Sequence, residues 1–132
     1  MSWPLQGLGA ITLFSEDLEA SKRFYGDVLG LRTVYEDDNS AVFDFGNTII
    51  NVLRTTEAVE LIAPAAVGGR DAGARAQLTI WVDDADETCA QLVARGVALL
   101  NGPMTRPWGQ RTATFRDPAG HIWEIAQTLP RG

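Results

Sequence analysis

Glu124 stands inside the apolar run of DPAGHIWEIA, residues 117 to 126, three positions after His121, the chain's one histidine. A carboxylate in a stretch that reads as a buried strand has four possible roles: metal ligand, catalytic base, polar anchor in a binding pocket, or edge residue. An ionised carboxylate buried without a partner is costly, so its surroundings must supply one. Side chains alternate along a strand, so His121 and Glu124 would face opposite sides. His121 directly follows DPAG, where a turn-stabilising hydrogen bond is the leading reading and a ligand or catalytic role the alternative. Cys89 lies mid-helix between Thr88 and Ala90, with no histidine to activate it. It reads as a free buried cysteine rather than a nucleophile. No phosphate loop, dinucleotide glycine fingerprint or zinc-ribbon spacing occurs.

The elements that must position Glu124 follow from periodicity. LGAITLF (8–14) is short and β-rich and reads as a strand. SEDLEASKRFYGDVLGL (15–31) reads as a helix, with Ser15 or Asp17 as its cap and Gly30 as its stop. RTVYED, SAVFDFG and TIINVLR then read as three strands separated by turn signals. The order recurs. AQLTIWV (76–82) is a strand, and DDADETCAQLVARG (83–96) a helix capped by Asp83 or Asp84 and stopped by Gly96. VALLNGP, RTATFRD and HIWEIAQ supply three more strands.

A shift of 67 positions pairs Ala10 with Gln77, Thr12 with Thr79, Phe14 with Trp81 and Asp17 with Asp84. Later in each half the shift is 72 to 73, pairing Phe43 with Phe115, Ile49 with Ile122 and Asn51 with Glu124. This period is too long for a solenoid and points to two fused modules. Module one is expected over 5–55 and module two over 76–128, joined by an Ala-, Gly- and Pro-containing linker at 56–75. Gly68, Gly69 and Gly73 read as flexible spacers there, with a short ordered piece at 59–62.

The bulk numbers bound what such a chain does. At 132 residues it is expected to form a single domain with a sizeable core. A net charge of −6 argues against a nucleic-acid partner, suits a soluble protein and is compatible with a cationic ligand. No apolar stretch has the length of a membrane helix, and MSWPLQG lacks the features of a secretory signal. With a single cysteine, the chain reads as cytoplasmic.

SEDLEASKRFYGDVLGL resembles the opening helix of the vicinal oxygen chelate superfamily, the glyoxalase, bleomycin-resistance and extradiol dioxygenase family. WVDDADETCAQLVARGV resembles the matching piece of its second module, and FRDPAGHIWEIA its closing hairpin. The resemblance covers nearly the whole chain in the right order. It implies an α+β fold of two tandem βαβββ modules, whose cupped mixed sheets surround a shared cavity with helices outside. It also implies that the chain forms a homodimer. Enzymes of this family hold a divalent metal through four equivalent strand positions, which project here onto Ala10, Asn51, Gln77 and Glu124. The internal repeat pairs the same four residues.

Zinc, manganese and iron sites want imidazole, carboxylate or thiolate donors, usually three or more from protein. Ala10 has none, Asn51 and Gln77 are neutral amides, and Glu124 alone is a strong donor. The expectation is therefore that no cofactor is needed; a divalent metal on Gln77 and Glu124 is the alternative. Alternation puts Gln77, Thr79 and Trp81 on one strand face, Ile122, Glu124 and Ala126 on another, and Ala10, Thr12 and Phe14 on a third. These mixed faces suit a ligand cavity, while the aliphatic faces behind them suit helices. Phe14, Trp81 and the loop residue Trp108 could stack on a planar or cationic ligand. Asn51, or Gln77, could orient the ligand or hydrogen-bond Glu124. The expected ligand-binding set is thus Thr12, Phe14, Asn51, Gln77, Thr79, Trp81, Trp108, Ile122 and Glu124. The partner is a small organic molecule, with no role for nucleic acid or membrane. The leading expectation is a metal-independent protein that sequesters an aromatic or cationic antibiotic or natural product. A glyoxalase-like lyase, isomerase or dioxygenase, using metal or Glu124 as general base, is the alternative. A regulatory module with an empty cavity is a third.

Overall fold

The computed structural model describes residues 5–130. Its element order is β1 (Ile11–Ser15), α1 (Leu18–Arg23), a π-helical turn (Phe24–Val28), β2 (Arg32–Glu36), β3 (Ser40–Asp44), β4 (Ile49–Arg54) and α2 (Thr55–Ile62). Then come β5 (Gln77–Trp81), α3 (Ala85–Ala94), β6 (Leu99–Arg106), β7 (Gln110–Arg116) and β8 (Ile122–Thr128). The fold is α+β, with two modules and two separate four-stranded sheets ordered β1-β4-β3-β2 and β5-β8-β7-β6. In each sheet the first strand runs parallel to the last, and the other pairs are antiparallel. The chain divides into two compact units at residues 67 and 68, inside the linker. That linker opens with the eight-residue helix α2, more order than the sequence suggested. Among the described residues no helix is long and apolar enough to cross a membrane.

The repeat extends to the caps. Asp17 accepts a hydrogen bond from the Ala20 amide at 3.1 Å, and Asp84 from the Glu87 amide at 3.0 Å. Each satisfies an N–H that the first helical turn leaves unpaired. α3 ends in a Schellman motif: Val97 N–H reaches the Leu92 carbonyl and Gly96 N–H the Val93 carbonyl, with Gly96 at φ +91°. α1 differs, because its helix widens at Phe24, where Leu29 N–H bonds back to the Phe24 carbonyl five residues earlier.

In module one, Leu13, Ile50, Val52 and Phe43 are buried. Tyr25 of the π-turn packs on Phe43 with ring centroids 5.6 Å apart, and buried Ser15 and Ser21 join β1 to α1 through a 2.7 Å hydroxyl pair. In module two, Ala113, Phe115, Trp123 and Ile125 are buried, as are Cys89 and Leu92 of α3. The Ala85 amide donates to Gln127 Oε1 at 2.9 Å, and Arg111 forks onto Asp86 at 2.9–3.1 Å, which fixes α3 to this side of the sheet. Each large apolar side chain so buried contributes about 1.5–3 kcal/mol of transfer free energy. The aliphatic faces are therefore the helix-covered faces, and the mixed faces point the other way.

Candidate functional site

Register assembles the mixed face of module two. Gln77 lies opposite Ile122, Thr79 opposite Glu124 and Trp81 opposite Ala126. Directly paired residues share a face, so β7 adds Thr112, Thr114 and Arg116, the partners of Ala126, Glu124 and Ile122. Glu124 is half-buried, and its Oε1 accepts a 3.0 Å hydrogen bond from Thr79 Oγ1. Among the described residues Oε2 accepts none. Within its own module the partner of Glu124 is thus Thr79, not the Gln77 amide that the sequence suggested. Gln77 sits two register positions away, opposite an isoleucine.

Two tryptophans flank one end of this sheet. Trp81, at the end of β5, is 67% exposed and borders an open cavity of about 480 Å³ shared with Asp83, Asp84 and Glu87. Trp108 is 65% exposed and lies in the tight turn joining β6 to β7. Its indole N–H donates to Gln110 at 3.1 Å, and the Arg106 guanidinium lies 5.9 Å from its ring centroid. Arg106 is held in turn by Thr112 at 3.0 Å. Trp108 is therefore a fixed feature of a hairpin. The sequence reading ended the preceding strand at Pro103, whereas β6 continues to Arg106 with register shifts around Asn101.

Module one repeats the pairing in neutral form. Thr12 lies opposite Asn51, and Asn51 Nδ2 donates to Thr12 Oγ1 at a long 3.4 Å. Phe14 is half-buried opposite Leu53. Ala10 is exposed and lies one residue before β1 begins.

The four projected metal positions can now be tested by their donors. One is a methyl, and one is an amide already turned toward a threonine. Another amide is offset along its strand from the fourth position, the only carboxylate. No group of three or more His, Cys, Asp or Glu side chains able to hold a metal occurs among the described residues. This donor set does not fit a tightly held zinc, manganese or iron ion, which asks for three or more strong protein ligands.

His121 is committed elsewhere. Asp117 Oδ1 accepts from the amides of Ala119 (3.0 Å) and His121 (2.8 Å), and Oδ2 meets His121 Nδ1 at 2.8 Å. The Asp117 side chain is 1% exposed. The histidine closes the turn that starts β8, in the role expected of it. Other charged groups do structural work too. Asp37, in the β2–β3 turn, is held down to about 2, chiefly by the Asn39 amide and then by the Tyr35 hydroxyl. The Arg111 hydrogen bond lowers Asp86, and burial raises the Cys89 thiol.

Residues 7–125 match the Glyoxalase/Bleomycin resistance protein/Dioxygenase superfamily. The Bacillus subtilis protein YraH is 33% identical over 124 residues, covering 90% of this chain and 96% of YraH. Lactoylglutathione lyase from Agrobacterium tumefaciens superposes with a TM-score of 0.76 at 24% identity, over 95% of this chain and 96% of its own. TnmS3, an antibiotic binding protein from Streptomyces sp. CB03234, superposes with a TM-score of 0.73 at 23% identity, over 96% and 99%. At these identities the two structural likenesses are of fold alone.

Proposed function

The chain belongs to the Glyoxalase/Bleomycin resistance protein/Dioxygenase superfamily, and from that premise we propose that it is a metal-independent binding protein for a small aromatic or cationic molecule, an antibiotic or similar natural product. The observation that carries this reading is the donor set of the module-two mixed face. One carboxylate, supported by a threonine hydroxyl, is the acidic group of a face whose nearest positions are Gln77, Thr114 and Ile122 and whose far end carries Arg116, on a sheet flanked by two exposed tryptophans. A lone carboxylate pairs well with an organic ammonium, and the aromatic faces stack on rings or cations. Three carboxylates beside Trp81 extend the preference for positive charge. The antibiotic-binding structural neighbour is in keeping with this reading. In this proposal the protein acts in the cytoplasm as a homodimer, and the module-two contacts that hold the ligand are Gln77, Thr79, Trp81, Trp108, Ile122 and Glu124.

The test is tryptophan fluorescence during titration with a panel of aromatic cationic antibiotics in the presence of EDTA. Saturable quenching is expected, weakened at least tenfold in Glu124→Gln. A panel without a saturable response defeats the reading. One observation favours a second reading, an enzyme of the lyase, isomerase or dioxygenase kind: among the described residues Glu124 Oε2 accepts no hydrogen bond, which leaves it open to contact a substrate. Near-stoichiometric metal in protein purified without chelator, or turnover abolished in Glu124→Gln with ligand binding kept, would establish it instead.

A further inference from the structure

We propose that module two also carries an anion subsite, built by Arg70 and Arg116, so that the ligand bears a carboxylate or phosphate as well as the group that meets Glu124. The inference rests on the proposed ligand-binding role of the mixed face and extends it.

The site is a cavity of about 370 Å³ where the segment from Arg70 to Ala74 passes the turn from Arg116 to Ile122. Arg116 ends β7 opposite Ile122 and so belongs to the mixed face. Glu124 is two residues beyond Ile122 on β8. With strands about 4.8 Å apart and about 3.4 Å of rise per residue, the Arg116 and Glu124 backbones stand roughly 8 Å apart. That span suits a small molecule with an anionic end and a cationic group.

The charges at this cavity are unevenly committed. Among the described residues neither Arg70 nor Arg116 is in an ion pair. The cavity has two carboxylates of its own. Asp117 is buried and is engaged in the turn by two backbone amides and His121. Asp71 is exposed to solvent at the cavity wall. Two exposed guanidinium groups, each with five N–H donors in a rigid fork, therefore line one cavity, and among the described residues no carboxylate is in ion-pair reach of either. Carboxylates and phosphates are the ligands that such forks bind in bidentate fashion.

The backbone holds one of these arms in place. A Cβ on Gly120 would stand 3.1 Å from the Arg70 carbonyl and 3.4 Å from Arg70 Cγ. With φ at +97° and the Arg70 backbone this close, glycine is the residue that suits position 120, and it lets the start of the Arg70 stem lie against the turn while the guanidinium stays exposed.

The experiment uses the full ¹⁵N-labelled chain and two probes, acetate and inorganic phosphate, each titrated against sodium chloride at matched ionic strength. Saturable shifts are expected at the Gly73 and Gly120 amides and at arginine Nε–H signals. Binding should weaken at least tenfold in Arg116→Gln and in Arg70→Gln. Arg116→Lys, which keeps the charge but loses the fork, should weaken it in part and covers the case where the glutamine variant misfolds. Saturation by phosphate alone, or by acetate alone, supports the subsite and decides which anion the ligand bears. Shifts no different from chloride, or equal affinity in all three variants, overturn it. Neither probe reports on Trp81, Trp108 or Glu124, so a blank antibiotic panel and a blank anion titration are separate failures.

Discussion

Replacing Asp117 by alanine tests how much of module two hangs on one turn. The side chain is essentially inaccessible and accepts three hydrogen bonds, two from backbone amides and one from the His121 ring. A hydrogen bond to a charged group contributes about 1.5–3 kcal/mol net, and a buried N–H left unpaired costs about 1–3 kcal/mol. The three bonds share one acceptor group and cannot be summed at full value. The ring is partly exposed, so water replaces its share cheaply. The expected loss for Asp117→Ala is therefore about 3–5 kcal/mol, against a total of roughly 5–15 kcal/mol for a domain. Asp117→Asn keeps an oxygen for both amides and should lose about 1–2 kcal/mol, while His121→Ala removes only the ring contact and should lose about 1 kcal/mol. Urea unfolding followed by tryptophan fluorescence reads all three. With a slope of about 1–3 kcal/mol per molar, the alanine midpoint should fall by about 2 M and the asparagine midpoint by less than 1 M. An Asp117→Ala midpoint within 0.3 M or so of the parent would refute the reasoning. So would an asparagine variant as weak as the alanine one.

Three further outcomes follow from particular contacts. A Cβ on Gly102 would lie 2.4 Å from the Thr112 carbonyl oxygen and 2.7 Å from Ala113 Cα, with φ at +84°; Gly102→Ala should lose more than about 3 kcal/mol in a thermal melt, whereas Gly109→Ala, with φ +87° and open space, should lose about 1 kcal/mol. Asp37 has a folded pKa of about 2, below its ordinary 3.8, so its contribution is present above that ordinary value and is lost as pH falls from about 4 to 2; Asp37→Asn should flatten the acid limb of a melting-temperature profile, and an unchanged limb counts against the turn network. The Cys89 thiol is buried and raised by desolvation, so a thiol reagent at pH 8 should label it only as the chain unfolds, and fast stoichiometric labelling of the native protein would contradict its placement.

The duplicated strand–helix–strand order was legible because caps, stops and alternation all pointed the same way. Asp17 and Asp84, paired by subtraction, both cap helices, and Gly30 and Gly96 both adopt positive φ. What escaped the sequence was set by long-range contact. Periodicity reads a helical stripe but not the hydrogen-bond offset, so the π-turn at Phe24–Val28 looked like plain helix. Gly102 and Pro103 look like a strand's end, yet β7 passes so close to Gly102 that the strand continues to Arg106. Face assignment was readable, whereas register was not. Alternation placed Thr79 and Glu124 each on a mixed face, but only the alignment of β5 with β8 makes them partners and leaves Gln77 beside Ile122. Arg116 lay unremarked in FRDPAGH. Its only signal was its parity with Thr114, and nothing in the sequence brings Arg70 to the same cavity.

The two register-equivalent pairs differ in what they ask of a neighbour. Thr12 with Asn51 and Thr79 with Glu124 occupy matching positions in matching sheets, related by the internal repeat. The neutral pair meets at 3.4 Å and the charged pair at 3.0 Å, as expected when the acceptor is a carboxylate. An amide both donates and accepts, so the module-one pair can complete its bonding with almost any polar neighbour, water included. An ionised carboxylate only accepts, and its remaining oxygen asks for a donor, a cationic one above all. The duplicated backbone thus offers two equivalent positions, and a single difference between them, Asn51 against Glu124, leaves one tolerant and the other demanding. On the proposed binding function, a guest would be chosen where the unmet demand is, on the Glu124 face.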